Sequence, residues 1–174
     1  MPDRHPWAIG RYGMNCDTEG SSRPGLSFDW PVRTSPRYGP QMLTDVDHVG
    51  IAVLDLEAAV EHYRKAFGVE PVHRETVEDQ GVNEVLFKVG TSYIQLLAAT
   101  GPETPVGKFL AKRGEGVHHI GYRVADVAEV LEHLKAEGIP LVDEAPRPGS
   151  RGTTVAFAHP KGFGGVLVEL VQES

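Results

Sequence analysis

The chain has 174 residues and a mass of 18.9 kDa, room for one domain or two small fused ones. A net charge of −7 argues against a general grip on nucleic-acid phosphates, and the absence of a run of about 18 apolar residues argues against a membrane helix. The single cysteine, Cys16, excludes an intramolecular disulfide and a cysteine-built zinc site; with no apolar signal core after Met1-Pro2-Asp3-Arg4-His5, the expected setting is the cytoplasm.

Residues 1–41 hold six of the thirteen prolines but only four Val, Ile, Leu or Phe residues: Ile9, Leu26, Phe28 and Val32. So few aliphatic side chains cannot offset the entropy of ordering the backbone. The segment is expected to be a disordered extension, with Met42 as a possible true start. Trp7 and Trp30 leave open a partner-binding arm or a lid. Five Arg against four Asp/Glu give this segment +1, so residues 42–174 carry −8.

From Met42 onward the hydrophobic pattern is regular. Val46–Val53 alternates as a strand does, and Leu56, Ala59, Val60, Tyr63 and Phe67 fall on one face of a helix. Asp55 is its expected N-cap and Gly68 its stop. Strands are expected near 70–76, 83–89 and 92–98, and a short helix over Pro105–Arg113. Val117–Val124 reads as the next strand and Val127–Glu137 as a helix with Asp126 as cap and Gly138 as stop. Further strands are expected near 139–142, 152–158 and 165–171.

The two halves of this domain repeat. His48–His62 and His119–His133 align without a gap at an offset of 71, with six of fifteen positions identical. The fold class that follows is α+β: two tandem β-α-β-β-β modules, about 46–98 and 117–172, forming one curved mixed sheet around a cleft. Equivalent positions of the modules then face each other across that cleft, and a helical bundle, a Rossmann sheet or a TIM barrel is disfavoured.

The repeat pairs His48 with His119, each near the start of a module's first strand. A polar residue also interrupts each module's last strand: Gln95 in Tyr93-Ile94-Gln95-Leu96-Leu97 and Glu169 in Val166-Leu167-Val168-Glu169-Leu170-Val171. A carboxylate in an apolar strand is costly unless paired or bound to a cation. Two imidazoles, one amide oxygen and one carboxylate suit a divalent ion with open positions. Hydrogen-bonded structural histidines and solvent-facing Gln95 and Glu169 are the alternative reading. Strand alternation allows only one of His118 and His119 into the cleft, and register with His48 selects His119. His62 and His133 are expected on helix surfaces, and His73 and His159 in structural roles.

These residues resemble the vicinal oxygen chelate superfamily, and within it the methylmalonyl-CoA epimerase family. The resemblance rests on DHVGIAV at 47–53, EDQGVNEV at 78–85, YIQLL at 93–97, GVHHIGYRV at 116–124 and HPKGFGGVLVEL at 159–170. It implies His48, Gln95, His119 and Glu169 as ligands of one divalent ion per chain, cobalt first, with manganese, nickel, zinc or magnesium as substitutes. It also implies Glu84 as a catalytic base, with Glu169 a candidate for the second acid/base group. The implied partners are methylmalonyl-CoA and a second copy of the chain, with no nucleic acid and no membrane.

The implied reaction interconverts the (2R) and (2S) thioesters. C2 loses a proton, the charge is held as a metal-stabilised enolate, and a proton returns on the other face. Rival readings are a glyoxalase I-type lyase acting on a glutathione hemithioacetal, an extradiol dioxygenase built on two His and one Glu, and a metal-free binding or resistance protein of the same fold. Lys161 and Arg151 are possible phosphate contacts with no assigned role.

Overall fold

Residues 41–174 are described by the structure, a computed structural model; the expectations for residues 1–40, Trp7, Cys16 and Trp30 among them, lie outside it. β1 (Leu43–Ala52) leads into α1 (Leu56–Phe67). The Asp55 carboxylate accepts the Ala58 amide at 3.0 Å and so satisfies an otherwise unpaired donor of the first turn. Gly68 ends the helix at φ 64°, a left-handed conformation that costs glycine little. β2 (Pro71–Val77), β3 (Val82–Val89) and β4 (Ser92–Ala99) complete the first half, and α2 (Pro105–Arg113) connects it to the second.

The second half repeats the plan with β5 (Gly116–Val124), α3 (Val127–Ala136), β6 (Arg147–Pro148), β7 (Thr154–Ala158) and β8 (Leu167–Gln172). Asp126 caps α3 as Asp55 caps α1, accepting from the Glu129 amide at 3.0 Å. One expected strand does not form. Residues 139–142 contribute only an isolated bridge from Leu141 to Ala158, and the edge strand β6 lies further on. Pro140 has no amide to donate, and the Val142 and Asp143 amides both donate to the Phe157 carbonyl, which turns the chain off the ladder.

The eight strands form one mixed sheet in the order β2-β3-β4-β1-β5-β8-β7-β6. β1 and β5 are antiparallel at its centre, and each lies parallel to the last strand of its own half. The register is equivalent in the two halves. Gly50 pairs with Gln95 across β1 and β4, and Gly121 with Glu169 across β5 and β8. One strand further out, Leu86 pairs with Gln95 and Phe157 with Glu169. The counterpart of Glu84, two residues before Leu86, is therefore Val155.

Alternation assigns each side chain a face. Leu96 and Phe87 pack under Val60 of α1, with the Tyr63 ring stacked on Phe87 at 5.4 Å. Val127 and Leu131 of α3 cover Ala156, Val168 and Leu170. The neighbours of these residues along the strands, Gln95, Leu97, Val155, Phe157 and Glu169, point the other way and line a cavity. β1, β3, β4, β5, β7 and β8 all contribute to its lining, so the sheet wraps around it. Among the described residues, no helix is long and apolar enough to cross a membrane.

Candidate metal centre

The cavity collects the polar side chains that the strands would otherwise bury at a loss. His48, Gln95, His119 and Glu169 are all buried, and all four face into it. The His48 and His119 Nε2 atoms stand 2.8 Å apart. Glu169 Oε2 lies 2.9 Å from the first and 3.1 Å from the second. These three side chains form a cluster able to hold a metal ion.

Two glycines make this convergence possible. A β-carbon on Gly50 would stand 2.4 Å from the His119 ring, and one on Gly121 would stand 2.4 Å from the His48 ring. Because Gly50 pairs with His119 and His48 with Gly121 across the central strands, each half supplies the space for the other half's imidazole. The spacing His-x-Gly in both modules is thus a packing requirement of the centre.

Two β-bulges occur at equivalent places. The register of β1 against β5 skips between Val46 and His48 and again between Gly50 and Ile51, whose partners are His119 and Val117. The unpaired residues are Asp47 and His118, each immediately before a centre histidine. A bulge re-aims its side chain. Asp47 is fully buried, and its Oδ1 accepts the His48 Nδ1 proton at 2.8 Å. The His118 and His119 Nδ1 atoms approach to 3.1 Å. His118 therefore reaches the cavity wall beside His119, which corrects the expectation from simple alternation that only one of them could.

Asp47 also accepts from Arg123 Nη2 at 3.0 Å and from Arg151 Nη2 at 2.7 Å. Burial by itself would raise the Asp47 pKa, but the bonds from His48, Arg151 and Arg123 outweigh it and hold the carboxyl at about 2. Burial disfavours charge on His48, yet its bonds to Asp47 and Glu169 prevail and raise its pKa to about 9. His119 has no such carboxylate behind it, and burial pushes its pKa down. For Glu169, desolvation is overcome by the two imidazoles, which keep it well below the usual carboxylate range.

Glu84 is only 2% exposed. Its Oε2 accepts the Gln95 Nε2 proton at 2.7 Å, and its Oε1 accepts the Ser150 hydroxyl. Desolvation dominates here and raises its pKa. The surface location open to an isolated strand glutamate is therefore excluded. His73, expected to be structural, lies 4.0 Å from Glu84 and donates to Glu75 at 2.9 Å. His159 caps the turn at Pro160–Gly162 by accepting the Lys161 amide.

Whether this donor set fits a divalent ion is decided by Gln95. Its amide nitrogen is committed to Glu84, while its Oε1 is buried with no hydrogen-bond partner among the described residues. Such an atom is costly unless a cation or donor meets it. With His48 bonded to Asp47 through Nδ1, its Nε2 is the nitrogen left to coordinate. The set is two nitrogens and two oxygens, which suits a hard-to-borderline divalent metal.

Asp47, Ser150, Arg123 and Arg151 were not legible in the sequence as parts of this site. Arg151, a possible phosphate contact by sequence, points inward instead. It sits at φ 57°, its guanidinium lies over the Tyr93 ring at 4.6 Å, and its amide donates to Glu75. A side-chain-bearing residue adopts that conformation only when its surroundings impose it.

Comparison with known proteins places these features in context. A family model described as the Glyoxalase/Bleomycin resistance protein/Dioxygenase superfamily matches residues 47–157. An ethylmalonyl-CoA/methylmalonyl-CoA epimerase of Cereibacter sphaeroides is 38% identical over 133 residues, 75% of this chain and 99% of that protein. A solved structure of a methylmalonyl-CoA epimerase in complex with methylmalonyl-CoA and NH4+ is 46% identical with a TM-score of 0.74, covering 76% of this chain and 96% of that one. The methylmalonyl-CoA epimerase of Mycobacterium tuberculosis is 40% identical at the same TM-score, over 77% of this chain and 91% of its own.

Proposed function

From the fact that this chain belongs to the glyoxalase/bleomycin resistance protein/dioxygenase superfamily, and within it to the methylmalonyl-CoA epimerases, we propose that it interconverts the (2R) and (2S) forms of methylmalonyl-CoA. The observation that carries this reading is Glu84, a buried carboxylate in the same cavity as the His48, His119 and Glu169 cluster. An ion held by His48, Gln95, His119 and Glu169 would supply Lewis acidity toward the thioester carbonyl and the substrate carboxylate. Cobalt is the proposed ion, with manganese, nickel, zinc or magnesium as substitutes; the mixed nitrogen and oxygen set supports that group of metals.

The chain's own groups account for the proton movement. Glu84 takes the C2 proton, and the electron pair of the broken C–H bond moves into the thioester carbonyl. A proton delivered from the opposite face completes the inversion as the pair returns to C2. Glu169, from the other half of the sheet, is the proposed donor once it leaves the two imidazoles that hold it ionised and takes up a proton, with a bound water as the alternative source. The Gln95 amide and the Ser150 hydroxyl hold the Glu84 carboxylate in place, one bond on each oxygen. Burial brings its pKa nearer to neutrality, which improves a base that must take a proton from carbon and later release it.

A glyoxalase-type lyase shares the superfamily but accounts less well for the Gln95–Glu84 bond, which ties an amide ligand to the base. The single cysteine supports a cytoplasmic setting, and a homodimer is proposed from the family.

The test is nuclear magnetic resonance of the C2 proton of methylmalonyl-CoA in deuterium oxide, with metal-loaded protein, chelator-treated protein and Glu84→Gln. The expected result is loss of the signal only in the loaded wild type, slowed about 10²–10⁴-fold by Glu84→Gln. An untouched C2 proton with loaded wild type would overturn the reading.

A further inference from the structure

Glu75 and Glu84 stand directly opposite each other on β2 and β3, two carboxylates paired across antiparallel strands. Like charges in that arrangement repel. The repeat does not impose the pair, because the equivalent partners in the second half are Arg147 and Val155. One ligating atom each of His73, Glu75 and Glu84 lies within 4.8 Å of the other two, so the carboxylates face one another. The proton transfers at C2 use neither Glu75 nor His73, and both stand outside the lining of the metal cavity.

The pair is joined through the other half of the sheet. The Ser150 hydroxyl donates to Glu84 Oε1 and also stabilises the charge on Glu75, so it bridges the two carboxylates. His73 Nε2 donates to Glu75 Oε2 at 2.9 Å, and the Arg151 amide donates to the same oxygen at 3.2 Å. The His73 bond above all, then the Arg151 amide and the Ser150 hydroxyl, hold the Glu75 carboxyl below the usual range, while burial pushes Glu84 up. Glu75 is thus the weaker holder of a proton. It is also the wetter group. β2 is an edge strand, and the side chains of His73 and Glu75 are 30% and 38% exposed, whereas Glu84 is sealed with both oxygens bonded inside the protein.

We propose that Ser150, Glu75 and His73 form the route by which Glu84 exchanges its proton with water. Each inversion that Glu84 begins leaves a proton on it, and the next in that direction waits until the proton has gone. The Glu84 proton passes to the Ser150 oxygen as the Ser150 hydroxyl proton passes to Glu75. Glu75 releases it to water, and rotation of the hydroxyl restores the bond to Glu84. The reverse sequence reloads Glu84 for the opposite epimer. His73 holds the receiving carboxylate at the sheet edge. Glu75 and His73 are positioning residues, acting through Glu84 and outside the reach of substrate. The inference rests on the proposed role of Glu84 as base and assigns that base its connection to solvent.

The test incubates each epimer of methylmalonyl-CoA separately with metal-loaded full-length protein in deuterium oxide. Two initial rates are followed by mass spectrometry after the epimers are resolved: inversion, and deuterium uptake into the epimer not yet inverted. Uptake without inversion requires the proton on Glu84 to exchange while the enolate persists. Wild type is expected to show it for the epimer whose proton Glu84 removes. Glu75→Gln should lower the ratio of uptake to inversion about tenfold or more, and His73→Ala should lower it in the same direction. Glu75→Asp, which keeps a carboxylate, should recover most of the ratio, and the exposed Glu57→Gln on α1 should leave it unchanged. A merely structural defect would slow both rates and leave the ratio alone. No uptake by wild type, or an unmoved ratio in Glu75→Gln, would overturn the relay. Loss of the C2 proton with an unmoved ratio removes the relay and leaves the epimerase; a C2 proton that wild type never exchanges removes both.

Discussion

Gly121 stands directly across the strands from His48, and the imidazole fills the space where a side chain on Gly121 would begin. A methyl group there would lie 2.4 Å from the His48 ring, inside any permitted contact. Gly121→Ala is therefore expected to displace His48 and cost about 1–3 kcal/mol of stability, the usual range for overpacking. Metal affinity should fall with it. Thermal unfolding and a metal titration of the variant check both; unchanged affinity would mean that His48 does not need that space.

Asp47 tests how the first imidazole is held. Three donors converge on its buried carboxylate, from His48, Arg123 and Arg151. Asp47→Ala leaves the Arg151 guanidinium without its carboxylate, leaves Arg123 only Asp45 and Glu173 as carboxylate partners, and frees His48 to rotate. Breaking a buried pair of this kind costs about 3–5 kcal/mol, and losing the support behind a ligating histidine costs about 10–100-fold in metal affinity. Asp47→Asn, which keeps an acceptor oxygen, should recover part of the affinity. Equal metal affinity in all three proteins would show that Asp47 is structural only.

The acid limb of the pH profile reports on Glu84. A base acts when ionised, so activity is present above its folded-state pKa and is lost as pH falls through it. Burial raises that pKa, so the limb of kcat/KM should lie above the ordinary glutamate value of about 4.3. The Ser150 hydroxyl works in the opposite direction by stabilising the carboxylate. Ser150→Ala should therefore move the limb to still higher pH, which a profile measured at saturating metal detects. A shift to lower pH would contradict this arrangement.

Metal loading should also stabilise the fold, because the donor atoms come from β1, β4, β5 and β8, both halves of the sheet. An ion at one hundred times its dissociation constant adds about 2.7 kcal/mol if it binds the folded chain alone. Chelator should lower the unfolding temperature of wild type and leave Glu169→Gln nearly unmoved. No difference between loaded and stripped wild type would argue against an ion bridging the halves.

The elements and the four converging side chains were legible because each leaves a periodic or duplicated trace. Asp55 and Asp126 mark helix starts, and the 71-residue offset pairs His48 with His119. What surrounds the centre was less legible, for physical reasons. Asp47 and His118 act through bulges, and a bulge breaks the alternation from which facing is inferred. They are also unlike residues at equivalent positions, so the repeat gave them no emphasis. Ser150 and Arg151 sit in an irregular loop that crosses to the other half, to Glu84 and Asp47, and no local pattern encodes a contact that distant. The failed strand at 139–142 has a local cause in Pro140, whose missing amide outweighs the aliphatic run.

The register equivalence between the halves has a consequence for stereochemistry. Glu84 occupies the position that Val155 holds in the other half, and Glu169 the position that Gln95 holds. Each module thus offers the cavity one carboxylate, but from a different strand. The two epimers of the proposed substrate are mirror images at a single carbon, attached to a tail that is the same in both. Inverting that carbon calls for a proton to leave one face and another to arrive on the other, and a cavity walled by two related halves can hold one carboxylate from each, here at positions that are not equivalent. Gene duplication would then have supplied two equivalent walls, and substitution at two strand positions would have made them unequal.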